Sequence, residues 1–361
     1  YGSYEKITAA ETTVQQAENA EGDLEAERIG EADAGTGIIL ETEDQNAGDS
    51  VNSNAAADSM TILFSGDVLL SDHVLNAYSR AGGISGVLDP GYLSEIQSAD
   101  YFAVNEEFPF SSRGTQVADK QYTFRLAPEK VSMFKEMGID AVTLANNHSS
   151  DYGAQSLTDT EENLTAAGVD YCIGDKIIVK EVNGVKVGLI GIYVLDEGIQ
   201  KAEQVQQTIA AAKSQGAQIV VVAFHWGTEK SDTPDETQVS LAHTAIDNGA
   251  DLVVGHHPHV LQGIELYQGK YIAYSLGNFC FGGNSTPSDL DTMIFQTVFY
   301  VAKDGTVSSE VRIIPCSISS ADGWNNYQPT PAEGSEADRI MEKLNERSAQ
   351  FGQSFEAYTE Q

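Results

Sequence analysis

Five apolar runs in this chain each stop on a residue that can hold a metal or move a proton. Asp67 follows FSG, Glu106 and Glu107 follow AVN, and Asn146, Asn147 and His148 follow VTLA. His225 follows VVVAF, and His256, His257 and His259 cluster after LVVG. Runs of four to eight apolar residues bounded by turn signals read as buried strands. In open α/β sheets, ligands sit in the crevice beyond the carboxyl ends of the strands. A lone strand-end aspartate is more often a turn or cap residue. Five chemically capable strand ends together point instead to one shared site.

The segments between these runs supply the helices such sheets need. MTILFSG (60–66) reads as a strand that ends in a tight glycine turn, and YFAVN (101–105) and IDAVTLA (139–145) as buried strands. Helices are expected over 127–138, 158–168, about 202–215 and 235–249, and strands over 185–194, 217–224 and 250–255. From there to 315 the pattern is strand-rich, and a covering helix is expected over about 334–350. Alternation followed by a run of strands indicates an α/β fold with mixed sheets. Residues 1–60 hold 14 acidic and 2 basic side chains and no Trp, Phe or Cys, so 1–59 reads as a disordered acidic tether. The folded domain is expected over 60–315, with a C-terminal extension over 316–361.

The formal charge of −34 disfavours nucleic acid and anionic membrane surfaces as partners. The three cysteines, Cys172, Cys280 and Cys316, form no C-x-x-C pair. That argues against a thiolate zinc site and a thioredoxin motif, and an odd count argues against a disulfide framework. No run of 18 apolar residues is present, so no transmembrane helix is expected in this chain. The opening YGSYEK has neither an initiator Met nor a signal-peptide pattern, and the expectation is a trimmed start with a signal or anchor removed. There is no P-loop pattern for ATP and no G-x-S-x-G elbow.

Carboxylate, amide oxygen and imidazole without thiolate form a donor set that suits Mn, Fe or Zn. Two such ions about 3.5–4 Å apart would clamp the attacking and leaving oxygens of a phosphoryl displacement. In an extended segment side chains alternate between faces, and a residue before proline is pushed toward extended geometry. On that basis His257 and His259 face one way as a ligand pair, and His256 turns away into packing or a supporting role. In NNH, an Asn carbonyl can ligate while His148 meets the substrate. An imidazole with a pKa of about 6.5 suits protonation of a leaving alkoxide. Asp151 can orient His148 or cap the helix that follows. Trp226 is expected to wall the site and Glu229 to support it or contact substrate. His243, inside a helical pattern, reads as structural.

Taken in order, GD, N-x-E, LANNHSSDYG, HWGTE, GHHPHVLQG and YSLGNF resemble the bacterial capsule-synthesis protein CapA family, associated with poly-γ-glutamate. The resemblance covers roughly residues 60–315. It implies a four-layer α-β-β-α sandwich of two mixed sheets, of the calcineurin-like metallophosphoesterase kind, with one or two divalent metal ions. By position it implies Asp67, Glu107, Asn147, His225, His257 and His259 as ligands and His148 as the catalytic histidine, with Asp151 beside it. QYTFRLAP (121–128) resembles the family's substrate-side segment, which makes Tyr122, Phe124 and Arg125 substrate residues, together with Asn146. Two departures stand out. The family's N-L-E reads Asn105-Glu106-Glu107 here, so either glutamate can be the ligand. The first motif is Gly-Asp-Val and lacks a D-x-H histidine, which removes one ligand and leaves room for one ion or two.

The resemblance further implies work in capsule or poly-γ-glutamate biosynthesis outside the cell, on an N-terminal anchor, with membrane-bound synthesis and export proteins as partners. Three chemistries fit it. One is metal-dependent phosphoester hydrolysis with His148 as general acid. The second is non-catalytic binding of an anionic polymer during assembly and export. The third is hydrolysis or transfer of a γ-glutamyl amide. Without an ATP motif, the chain is not expected to be the ligase that makes the polymer.

Overall fold

The computed structural model describes residues 58–358. The tether expected over 1–59 lies outside that range apart from Asp58 and Ser59, which already pair with Val301 and Tyr300.

The first sheet begins with β1 (Asp58–Leu69), β2 (Tyr101–Glu106), β3 (Ala141–Thr143) and β4 (Asp170–Cys172), all parallel. The second sheet follows with β5 (Ile178–Val182), β6 (Val185–Tyr193), β7 (Ile219–His225), β8 (Leu252–His256), β9 (Ile264–Tyr267) and β10 (Lys270–Ala273). Its order is β5-β6-β7-β8-β10-β9, parallel in the middle with an antiparallel strand at each edge. The chain then returns to the first sheet with β11 (Asn278–Phe281), β12 (Asp291–Val301), β13 (Val307–Ser317) and β14 (Thr330–Pro331), giving the order β14-β13-β12-β1-β2-β3-β4. One edge of β1 pairs with β12 over Asp58–Phe64 and then, from Asp67, with β11.

Three cores separate four layers. Alternate residues of both sheets, among them Ile62, Phe64, Val221 and Val254, share the core between the sheets. The opposite parity of the first sheet, including Leu63, Phe102 and Val104, packs under α1 (Asp72–Ala81), α2 (Pro90–Ser98), α3 (Ser132–Glu136) and α4 (Ala154–Ala167). The opposite parity of the second sheet, Val220, Val222 and Phe224, packs under α5 (Ala202–Ser214) and α6 (Glu236–Asp247). This is the α-β-β-α sandwich of two mixed sheets. Helix α7 (Gly334–Ser348) places Ile340, Met341 and Leu344 in the core between the sheets.

Several element boundaries differ from the sequence expectation, each for a local reason. Gly66 does not turn the chain. β1 runs through it, because a Cβ at Gly66 would sit 2.1 Å from the Gly277 carbonyl oxygen, and only glycine lets β11 approach so closely. The helix expected over 127–138 is a 3-10 turn at Pro128–Val131 followed by the short α3. The helix expected at 158 begins at Ala154, and the strand expected over 139–145 pairs only over β3. Helices α1 and α2 were not expected, although their signals are present. Ser71 accepts from the His73 amide and Gly82 closes α1 in the left-handed region, while Asp89 and Pro90 open α2.

Candidate metal centre

Strand parity brings the site together. Tyr101 and Ala103 of β2 face the core between the sheets, so Asn105 and Glu107 face the same way. Ala223 does the same for His225 in β7, and Val254 for His256 in β8. Asp67 lies opposite Asn105 on one side and Asn278 on the other. Asp67, Asn105, Glu107, His225 and His256 are all buried at the carboxyl ends of their strands.

The Asn105 amide donates to Asp67 Oδ1 and to Glu107 Oε1, both at 2.9 Å, and so holds two carboxylates side by side. His256 Nδ1 lies 3.0 Å from Asp67 Oδ1, and His259 Nδ1 lies 3.0 Å from Asp67 Oδ2. His225 Nε2 is 2.9 Å from Asn147 Oδ1, and its ring centroid is 4.7 Å from that of His257. Asp67, Glu107 and His259 offer one ligand atom each, all within 4.8 Å of one another. Glu229, His257 and His259 form a second such group that shares His259 with the first.

This corrects the reading of the histidine cluster. The strand ends at His256, and His257 and His259 have φ of 95° and 56° instead of extended values. Two non-glycine residues in left-handed conformations break the alternation, so His256 is not turned away. It bonds Asp67 while the other two reach the same cluster. Such conformations cost about 1–3 kcal/mol each and persist only where the surroundings hold them. The His257 amide donates to Asp67 Oδ2 at 3.2 Å.

The electrostatics of the cluster call for a cation. Burial alone would raise Asp67, but the bonds from His256 and His259 outweigh it and hold the carboxyl well below its usual range. Burial and then the neighbouring Asp67 push Glu107 up to about 8. Burial alone would lower His259, but Glu107 and Asp67 push it up to about 10. Burial and then His257 hold His225 low, and burial and then His259 push His257 down to about 4. Asp67 is thus balanced by a proton on His259, and Glu107 tends to keep its own proton, with no Lys or Arg ion pair to either among the described residues. His257 Nδ1 is buried without any hydrogen-bond partner. A donor set of buried carboxylates, neutral imidazoles and an orphaned ring nitrogen fits a divalent ion.

Beside this cluster lies a His–Asp pair. His148 Nδ1 is 2.9 Å from Asp151 Oδ2, and Asp151 is buried. Asp151 does not cap α4, whose N-cap is Gly153. It also accepts from the Phe124 amide at 2.7 Å and from Lys120, which in turn reaches the Asn147 carbonyl and lies 3.1 Å from His148 Nδ1. Both groups open into one cleft of about 410 Å³ lined by Glu107, His148, Glu229, His259, Tyr122 and Phe124, among others.

The structure separates the remaining expectations. Glu107 faces the cluster, whereas Glu106 has the parity of Phe102 and Val104, is fully buried, and has no partner for either carboxylate oxygen. Trp226 does not wall the site. It follows His225 by one residue and therefore packs on the helix side, against Phe224 and Tyr274. Asn146 does not face substrate. Its amide donates to Asn105 Oδ1 and the Glu106 carbonyl, and its oxygen accepts from the His148 amide, so it braces the loop. Arg125 stacks over Tyr152 at 4.0 Å, outside the cleft lining. His243 pairs with Glu265 and stacks on Tyr267, away from the site. Lys120, Asn105 and Asn278 carry no sequence expectation, and His256 has the expected supporting role but from the site side, through Asp67. Asn105 shares the parity of Glu107, and His256 that of Val254, a signal present in the sequence.

Residues 61–283 match the bacterial capsule synthesis protein family PGA_cap. The chain belongs to this family. The match spans both ligand groups, His148, Asp151 and Asn278. The PGA biosynthesis protein CapA of Bacillus subtilis is 33% identical over 279 residues, covering 71% of this chain and 72% of that one. The capsule biosynthesis protein CapA of Bacillus anthracis is 32% identical over 284 residues, covering 72% and 67%. A probable polyglutamine synthesis accessory protein of Mycobacterium tuberculosis is 26% identical over 260 residues, covering 62% and 68%. Among solved structures, the sulfate thiohydrolase SoxB of Thermus thermophilus in complex with glycerol is a distant likeness. Its TM-score is 0.42 and its identity 13%, over 81% of this chain and 60% of that one.

Proposed function

We propose that this member of the capsule synthesis family is a metal-dependent phosphoester hydrolase in capsule or poly-γ-glutamate biosynthesis. In this reading it works at the outer face of the membrane or in the wall beside the membrane-bound synthesis and export proteins. One observation carries the chemistry. A buried pair of carboxylates ringed by histidines opens into the same cleft as a His–Asp pair. Asp67, Glu107, His259, His257, His225 and Asn147 would hold one or two divalent ions, with Glu229 at the outer position. Such ions supply Lewis acidity toward phosphoryl oxygens and an activated water.

The chain's own residues then direct the proton. A water oxygen bonds to phosphorus and gives up one proton to solvent, the bond from phosphorus to the leaving oxygen breaks, and His148 gives its proton to that oxygen and is reprotonated from solvent. Asp151 holds the imbalance of charge on His148 and fixes its ring, while Lys120 ties Asp151 to the Asn147 carbonyl. Tyr122 and Phe124 line the cleft, with Phe124 packed against the His148 ring at 4.9 Å, where they would flank the leaving group.

The test is metal content together with hydrolysis of bis(4-nitrophenyl) phosphate in Mn, Zn and Fe. We expect His148→Ala to keep its metal and to lose about 10²–10⁴-fold in kcat. A protein that binds metal yet turns over neither the aryl phosphoester nor a γ-glutamyl peptide would leave anionic-polymer binding as the better reading.

A further inference from the structure

The cleft lining contains three carboxylates, Glu107, Glu229 and Asp289, and a single Lys or Arg, Lys230. Asp289 is already paired, 2.9 Å from Lys343. Lys230 is different. Among the described residues it has no carboxylate within ion-pair distance, and it is the one Lys or Arg of the cleft lining. Neighbouring cations are committed elsewhere: Lys120 to Asp151, Arg125 to Tyr152, Arg347 to Asp232.

The backbone that carries Lys230 is built rather than loose. Lys230 has φ 64°, a left-handed conformation that a β-carbon makes costly. Its amide donates to the Pro258 carbonyl at 2.8 Å, between His257 and His259. The next residue, Ser231, donates to the Thr228 carbonyl and accepts from Gln262, which is itself held by Gln238. Lys230 is therefore pinned to the loop that carries two candidate ligands, beside a third, Glu229. Lys230 is exposed, and its braced backbone holds an ammonium without a carboxylate partner at the rim of this cleft, where it is free to meet an anion that arrives with the ligand.

We propose that Lys230 reads a second oxyanion on the substrate, one beyond the phosphoryl group that the metal centre would take. The preferred substrate is then a phosphoester whose organic part carries a carboxylate or a further phosphate. The hydrolase reading supplies only the identity of the first anion, and the recognition of the second stands on the cleft.

The experiment separates the two. In Mn²⁺, the affinities of methyl phosphate, carboxymethyl phosphate and phosphonomethyl phosphate are measured by calorimetry for wild type, Lys230→Gln and Lys230→Arg. Wild type is expected to prefer one doubly anionic ligand over methyl phosphate by about fivefold or more. Lys230→Gln loses that preference, Lys230→Arg keeps most of it, and the preferred ligand tells carboxylate from phosphate. Equal affinities in wild type, or an undiminished preference in Lys230→Gln, overturn the proposal. Turnover of the matching 4-nitrophenyl diesters is measured in parallel. Its absence, with the binding preference intact, removes the hydrolase reading and leaves the role of Lys230 standing.

Discussion

Two pairs of acids lie near the same cleft, and they are neutralised in opposite ways. Asp289 and Asp291 meet Lys343, and Asp291 also takes a two-pronged bond from Arg339, with both contacts at 2.7 Å. Asp67 and Glu107 meet only imidazoles and amides. A guanidinium or ammonium is a permanent charge, so the first pair is a finished structural joint between α7 and the start of β12. A proton on His259 can be displaced, so the second pair is an opening for a cation from solution. The difference teaches how to tell an architectural ion pair from a binding site when both are acidic: the identity of the counter-charge decides, not the number of carboxylates.

The largest expected effect breaks the comparison at the site. Glu107→Gln should weaken metal binding by about 100-fold or more, read by calorimetry, since even residues that only support a ligand account for about 10–100-fold. Asp291→Asn should leave metal affinity within about twofold of wild type and lower the unfolding free energy by roughly 2–3 kcal/mol in denaturant melts, because charged hydrogen bonds are lost at a buried position. A matched loss of metal in both variants would mean that the two pairs are not distinct.

Glu106→Met sharpens the contrast from the other side. It removes a fully buried carboxyl with no partner and should raise the unfolding free energy by about 1–2 kcal/mol without loss of metal. The smallest effect concerns pH. Burial alone would raise Asp291, but Arg339 and Lys343 hold its carboxyl below the usual value. A depressed carboxylate stabilises the fold above its unfolded pKa of about 3.9, and that stability is lost as pH falls through the lower folded value. The stability gap between wild type and Asp291→Asn should therefore narrow as pH is taken below about 4. A constant gap down to pH 2 would show that the joint is held by packing instead.

Much of this was legible in the sequence, for a physical reason. Strands advertise themselves by apolar runs, and the polar residue that ends such a run has to sit at a sheet edge. That placed Asp67, Glu107, Asn147, His225 and the histidine cluster at one crevice. The errors arose where a local rule met a longer-range one. Period-two reasoning was applied to His257 and His259 as if the strand continued, and their left-handed φ values depend on contacts with Asp67 that no local pattern encodes. The same parity rule, applied from Phe224 and Val254, would have put Trp226 in the helix-side core and His256 in the site. Gly66 looked like a turn because its partner, Gly277, lies 211 residues away. Lys120 has no periodicity to mark it, and its role appears only when the 119–125 segment is laid against the His148 loop.

The separation of the site's parts along the chain has a consequence for when it can work. Asp67 finds His256 across 189 residues, and its strand pairs with Asn278 further on still. No stretch of nascent chain ending before β11 holds the complete constellation. Assembly thus belongs to the slow, non-local end of folding, where loop closure precedes any reward. An ion that depended on the whole set would be held only after β11 has joined β1. The metal it took would then be one available where folding ends.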